Sequence, residues 1–236
     1  MIVRVCERAL AAKNVSRVLV ATDDERIRDA VHAAGYEAML TSAGHLSGSD
    51  RLAEAAATLD ESCDIIVNVQ GDEPQISPRT IEQAVAALQA DADAACATVC
   101  EAVGNASDVL SPDIVKVIAD NRGHALYFSR SPIPYPREAV SKYGSLAAAL
   151  EAQPALLSLF RKHTGLYVYR RAFLLEYTRW PQSALERAES LEQLRMLEHG
   201  AKIRVVETDE ASIGVDTLAD LERVRAMFAA SVVRTK

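Results

Sequence analysis

Two carboxylates stand where apolar runs stop. In VNVQGDEP (residues 67–74) a β-branched strand pattern ends in Gly-Asp-Glu-Pro, and in IGVDTLADLERV (residues 213–224) Asp216 precedes a helix opening near Thr217. A carboxylate just past a strand end is rigidly held, faces the crevice where α/β sheets bind ligands, and is the hard oxygen donor that Mg²⁺ prefers when it bridges phosphates. Each has a plainer reading alone: Asp72 as a turn or cap residue, and Thr217 with Asp220 as a capping-box-like pair. Taken together, two carboxylates from distant segments, each at a strand-to-helix junction, suit one divalent ion gripped from opposite sides. The expectation is that Asp72 and Asp216 approach each other across a crevice.

The elements that must position them follow from periodicity. From residue 18, β-branched runs (RVLVAT, EAMLT, DIIVNV) alternate with helical patterns over 24–34, 50–59 and 78–89, which argues for parallel strands joined by crossover helices. Ligand-facing residues then lie just past each strand, at 22–24, 41–51 and 70–74. Between about 94 and 170 the runs ACATV, IVKVIA, ALYFS and TGLYVYR follow closely. That spacing suggests an antiparallel insertion used for dimerisation or acceptor binding, within a single domain over 1–236. Three prolines in SPIPYP exclude regular structure over 131–136. The segment 137–159 reads either as helix or as a lid, and the lid is favoured in part. Helices over 171–179 and 184–199, the strand IRVVE and a last helix from 217 close the chain. The fold class is thus α/β, a mostly parallel, Rossmann-like sheet with an antiparallel insertion.

Composition narrows the partners. With 236 residues, about half apolar (49%), the chain buries a sizeable core. A net charge of -7, with basic residues scattered among acidic ones, provides no phosphate-neutralising stripe for nucleic acid. The four cysteines show no CxxC pair and sit in apolar surroundings, so they read as buried thiols of a reducing compartment. No run is apolar enough to insert in a bilayer, and residues 1–10 form an amphipathic helix pattern rather than a signal peptide, so a cytoplasmic location is expected.

In order, VLVATDDERI, TSAGHLSGSDRLAEA, IIVNVQGDEP, ALYFSRSPIP, HTGLYVYR, LEQLRML and GVDTLADLERV resemble the successive motifs of CMP-Kdo synthetases, over residues 1 to about 227. The resemblance implies a Mg²⁺-dependent, cytoplasmic enzyme of lipopolysaccharide biosynthesis, expected as a homodimer. In it the anomeric hydroxyl of 3-deoxy-D-manno-octulosonate (Kdo) attacks the α-phosphate of CTP, giving CMP-Kdo and pyrophosphate. Catalysis would rest on alignment and charge neutralisation without a covalent enzyme intermediate. Residue by residue, Asp72 and Asp216 match the metal-binding aspartates. Gln70, His163, Tyr167, Glu192 and Gln193 match acceptor-sugar contacts, Arg51 the arginine near the nucleotide base, and Arg130 an arginine near the sugar. Structural alternatives stand beside these: Arg51 as a solvated first-turn residue, Arg130 in an ordinary ion pair, His163 as a satisfied strand histidine, and one of Glu192 and Gln193 as plain helix surface.

Relatives open with an apolar strand and a loop of the type IPAR-x-x-S-x-R-x-x-GKP that cradles the triphosphate, and Met1 aligns just after it. The expectation is a chain lacking that strand and loop, with two unpaired sheet edges, low stability and negligible turnover. The other readings are a CMP-sialate-type nucleotidyltransferase, against which LEQLR and HTGLYVYR speak, and a non-catalytic remnant.

Overall fold

Serine and aspartate side chains set the helix starts that the sequence led us to expect. In the computed structural model, which describes residues 1–45, 47–210, 214, 215 and 217–234 with side chains through residue 228, Asp24, Ser47 and Ser77 each accept a hydrogen bond from a backbone N–H in the first turn of the helix they precede. These helices, α2 (Glu25–Ala33), α3 (Gly48–Ala57) and α4 (Pro78–Ala90), alternate with β1 (Leu19–Thr22), β2 (Glu37–Leu40) and β3 (Ile65–Asn68). Pro78 opens α4, where its missing N–H would have been unpaired anyway. Ahead of them, α1 (Ile2–Leu10) has no capping side chain and buries Val5, Cys6 and Ala9 along one face.

The second half supplies β4 (Ala94–Ala102), α5 (Ala106–Leu110), β5 (Lys116–Ala119), β6 (Ala125–Ser129), α6 (Arg137–Tyr143) and α7 (Leu146–Ala152). A 3₁₀ turn (Pro154–Leu159) leads to β7 (Arg161–Arg170), α8 (Arg171–Tyr177), α9 (Ala184–Glu189), α10 (Gln193–Glu198), β8 (Lys202–Thr208) and α11 (Leu218–Arg234). The segment 137–159 is therefore helical, not a lid: Leu150 and Phe160 bury against Val103 and Val109 in a small core of their own. Among the described residues no helix is long and apolar enough to cross a membrane.

Two sheets form. β1 and β2 pair in parallel, while a six-stranded sheet runs β6-β5-β7-β4-β8, with β3 on β7. β4 and β8 are parallel; β3, β4 and β5 all run antiparallel to β7. Antiparallel pairing thus reaches beyond the insertion, because β7 returns from it to lie between β3 and β4. Among the described residues β1 pairs only with β2, and β3 only with β7. Helix α1 spans the two sheets. Cys6 packs with Val20 and Val31 near β1, and Ala9 packs with Ile76 and Ile81 near α4.

The single helix expected over 184–199 is two. Ser190 adopts a left-handed conformation (φ 53°) and ends α9, and Leu191 drops into the core before α10 begins at Gln193. An ion pair holds this turn: the guanidinium of Arg195 donates to both carboxylate oxygens of Glu186 (2.8 and 2.6 Å), with side chains only 6% and 4% exposed. Arg195 also donates to the Trp180 carbonyl (2.9 Å), and Glu186 closes a capping box with Ser183. The helix expected over 171–179 ends at Tyr177.

Because both charges are desolvated, removing one leaves the other buried without its counter-charge. Arg195→Met should lower unfolding free energy by about 3–5 kcal/mol, read from urea denaturation. A loss below about 1 kcal/mol would mean that the pair does not hold the α9–α10 turn.

Candidate active site

One edge of β7 is shared by two strands. β3 pairs with its C-terminal half, ending at Asn68 opposite Tyr167, and β5 joins at Lys116 opposite Lys162. Between them β7 is open, and there the register with β4 slips, so that Thr98 faces Tyr167 while the next residue, Val99, faces Thr164. A bulge of this kind re-aims side chains and frees backbone groups. His163 and Tyr167 are brought onto one face with ring centroids 5.3 Å apart, and Phe128 meets the edge of His163 at 5.1 Å. Gln70, just past β3, lies against Gly165, where an added Cβ would come 3.7 Å from Gln70 Cγ.

These residues lie along the gap that β3 and β5 leave on β7. The Nε2 of His163 hydrogen-bonds the Thr98 hydroxyl at 2.8 Å, and burial holds its pKa down at about 3, so the ring is neutral near pH 7. The Tyr167 hydroxyl is buried and has no hydrogen-bond partner among the described residues. Its pKa is pushed well up, chiefly by desolvation, with the charge of Glu192 among the lesser causes. Glu192 stands at the N-terminus of α10, and Gln193 follows it and is buried.

Arg130 is committed to the same turn. Its Nε donates to the Glu189 carbonyl (2.7 Å), Nη1 to the Pro112 carbonyl (3.0 Å) and Nη2 to the Ser190 carbonyl (3.5 Å), while the Glu189 carboxylate accepts from Arg130 N and Ser129 Oγ. In this arrangement the Arg130 side chain holds backbone carbonyls rather than forming the ion pair considered for it. Arg51 lies elsewhere, at the ends of β1 and β2. It donates to Thr41 Oγ1 (2.6 Å) and pairs with Asp23 (3.2 Å).

Asp72 sits in the turn after β3, where its carbonyl accepts from Val215 N at 2.9 Å. The segment that carries Asp216 therefore runs directly beside Asp72. Asp216 itself lies outside the described residues. Thr217 and Asp220 form the expected reciprocal cap, each backbone N–H meeting the other's side chain at 3.1 and 3.2 Å.

A family model described as cytidylyltransferase matches residues 1–203. The chain belongs to the cytidylyltransferase family. It is 51% identical to the 3-deoxy-manno-octulosonate cytidylyltransferase of Syntrophotalea carbinolica, over 96% of this chain and 87% of that one. The protein of the same name from Geotalea uraniireducens is 52% identical, over 95% of this chain and 86% of the relative. Among solved structures, a CMP:2-keto-3-deoxy-manno-octonic acid synthetase complexed with CTP superposes with a TM-score of 0.85 at 43% identity, covering 98% of this chain and 88% of that one. The 4-diphosphocytidyl-2C-methyl-D-erythritol synthase of Anaerococcus prevotii, 11% identical with a TM-score of 0.59 over 96% of this chain and 87% of that one, shares the fold.

Several residues that build this part of the cytidylyltransferase escaped the motif reading. Lys116 is fully buried and its ammonium donates to the carbonyls of Ser111, Ile114 and Arg130. Thr98 is fully buried beneath His163. Each was visible as a lone polar residue in an apolar strand run, IVKVIA and ACATV, which requires a dedicated partner.

The depressed His163 pKa has a consequence for stability. Unfolded, the group titrates near 6.5; folded, near 3. Between those values the unfolded chain binds a proton that the native state refuses, so this contribution is present above about pH 6.5 and is lost as pH falls toward about 3. The urea midpoint should therefore fall more steeply between pH 7 and pH 4 in the wild type than in His163→Gln. Parallel curves would show that His163 is not desolvated.

Proposed function

We propose that the protein activates Kdo with CTP, the anomeric hydroxyl attacking the α-phosphate so that CMP-Kdo forms and pyrophosphate leaves. The observation that supports this reading is the interruption along β7, where His163 and Tyr167 lie side by side, His163 bonds Thr98, and Gln70 lies against Gly165. Its setting is a family whose nearby members carry the Kdo cytidylyltransferase name. Several fixed polar groups of this kind hold a polyhydroxy acid in one orientation, which is the main requirement of an in-line displacement.

The residues divide by place. Gln70, His163, Tyr167, Glu192 and Gln193 orient the sugar. Arg130 fixes the turn that presents Glu192 and adds positive charge beside an anionic acceptor. Arg51, on the first turn of α3 at the ends of β1 and β2, takes the nucleotide side. Asp72 is the described half of a proposed Mg²⁺ site, and the hydrogen bond from Val215 supports Asp216 as the other half. Mg²⁺, when bound there, would neutralise charge on the triphosphate oxygens.

The same proposal places the protein in the cytoplasm, in lipopolysaccharide biosynthesis, and in a homodimer; Leu126 on β6 and Tyr135 beyond it, 59% and 63% exposed, are apolar surface for a second copy.

The test is an assay of the intact gene product with CTP, Kdo and Mg²⁺, following pyrophosphate release. Release should depend on Kdo and on the metal, and sialate should not replace Kdo. Asp72→Asn should lower turnover on the order of 10²-fold or more, the size seen when a group that stabilises developing charge is removed. Equal use of sialate, or an unchanged rate in Asp72→Asn, would sink the substrate assignment and the metal assignment respectively.

A further inference from the structure

The hydrogen bonds at Thr98 decide which nitrogen of His163 carries its proton. The Thr98 hydroxyl lies 2.8 Å from two atoms, the Leu166 carbonyl oxygen and His163 Nε2. A hydroxyl has one hydrogen to give, and a carbonyl oxygen has none. If Thr98 gave its hydrogen to His163, two oxygens would face each other at 2.8 Å with no proton between them, inside a fully buried strand. The hydroxyl therefore donates to Leu166, whose carbonyl sits where the β4–β7 register slips. His163 Nε2 must then be the N–H that donates to Thr98.

The rest of the ring follows. With Nε2 protonated and the imidazole neutral, Nδ1 carries a lone pair and can only accept. No hydrogen bond among the described residues engages Nδ1. The ring cannot turn to exchange its nitrogens without losing the Thr98 bond, because Phe128 and Tyr167 pack against it at 5.1 and 5.3 Å and its own backbone N–H is tied to the Val115 carbonyl at 2.8 Å.

We propose that Thr98 is a positioning residue that locks His163 as the Nε2–H tautomer, so that His163 meets the acceptor sugar through Nδ1, accepting a hydrogen bond from a hydroxyl rather than pairing as a cation with the carboxylate. The second half rests on the Kdo reading of the site; the first half stands on the strand geometry alone. Recognition of the sugar acid is thereby divided: hydroxyl protons go to His163, and the carboxylate must find its partners elsewhere. An acceptor analogue that keeps the carboxylate but lacks the matching hydroxyl would leave Nδ1 unpaired.

The tautomer is read directly by long-range ¹H–¹⁵N correlation on ¹⁵N-histidine-labelled intact gene product near pH 7, with the His163 signals assigned by their loss in His163→Gln. The expected pattern is a protonated Nε2 and an unprotonated Nδ1, with Nδ1 shifting when Kdo is added. The reverse tautomer, or an imidazolium at this pH, overturns the proposal. In Thr98→Val the two tautomers should mix, and the Kd for Kdo, measured by calorimetry, should rise about tenfold with the Kd for CTP unchanged, as for loss of one hydrogen bond. Thr98→Ser, which keeps the hydroxyl, should restore both and decides the case if Thr98→Val does not fold. A pure Nε2–H form surviving in a folded Thr98→Val, or equal losses for Kdo and CTP, overturns the role of Thr98. If the wild type shows the expected tautomer but no Kdo binding, the Kdo reading fails and the tautomer assignment stands.

Discussion

Strand β7 is the constraint on which the site depends. It must satisfy β4 along one edge and two strands, β3 and β5, along the other. A strand edge shared by two partners cannot be hydrogen-bonded through the point where they part, and at that point the register with β4 also slips. The interruption costs ladder hydrogen bonds, partly replaced by the Thr98 and Thr164 hydroxyls bonding to carbonyls of Leu166 and Val99. In return it brings the rings of His163 and Tyr167 side by side.

Burial then sets the chemistry along β7. With a net charge of -7 the protein as a whole does not attract anions, so any recognition of one has to be local. Two groups on β7 are held neutral: His163 below its ordinary range, Tyr167 above its own. Neutral donors and acceptors discriminate by direction rather than by charge, which suits a sugar with several similar hydroxyls. The cationic side chains stand at the margins. Arg130 spends three nitrogens on backbone carbonyls, and Arg51 pairs with Asp23.

The turn between α9 and α10 shows how much structure stands behind the placing of two residues. Glu192 and Gln193 come into place because Ser190 breaks the helix, because the buried Glu186–Arg195 pair holds the two halves together, and because Arg130, itself bonded through its carbonyl to the buried Lys116, ties down the turn. In this region charged groups organise backbone.

Local patterns were sufficient for much of this. Alternating β-branched and amphipathic runs, serine and aspartate caps and the GDEP turn specify the α/β class, the starts of α2, α3 and α4 and the position of Asp72, because each depends on residues close together in the chain. The collinear motifs named His163 and Tyr167, which lie together on β7, and Gln70, which lies against Gly165. What a one-dimensional reading could not supply was everything that depends on strand partners. Residues 184–199 carry an unbroken helical period, yet burying Leu191 and pairing Glu186 with Arg195 outweighs continuing the helix. Thr98 and Lys116 read as lone polar residues in apolar strands until β7 and the 111–115 loop bring them carbonyls to bond. The protonation of His163 is the clearest case: its residue type was legible at once, but its tautomer is decided by a hydroxyl 65 residues away in sequence, and only the pairing of β4 with β7 brings the two together.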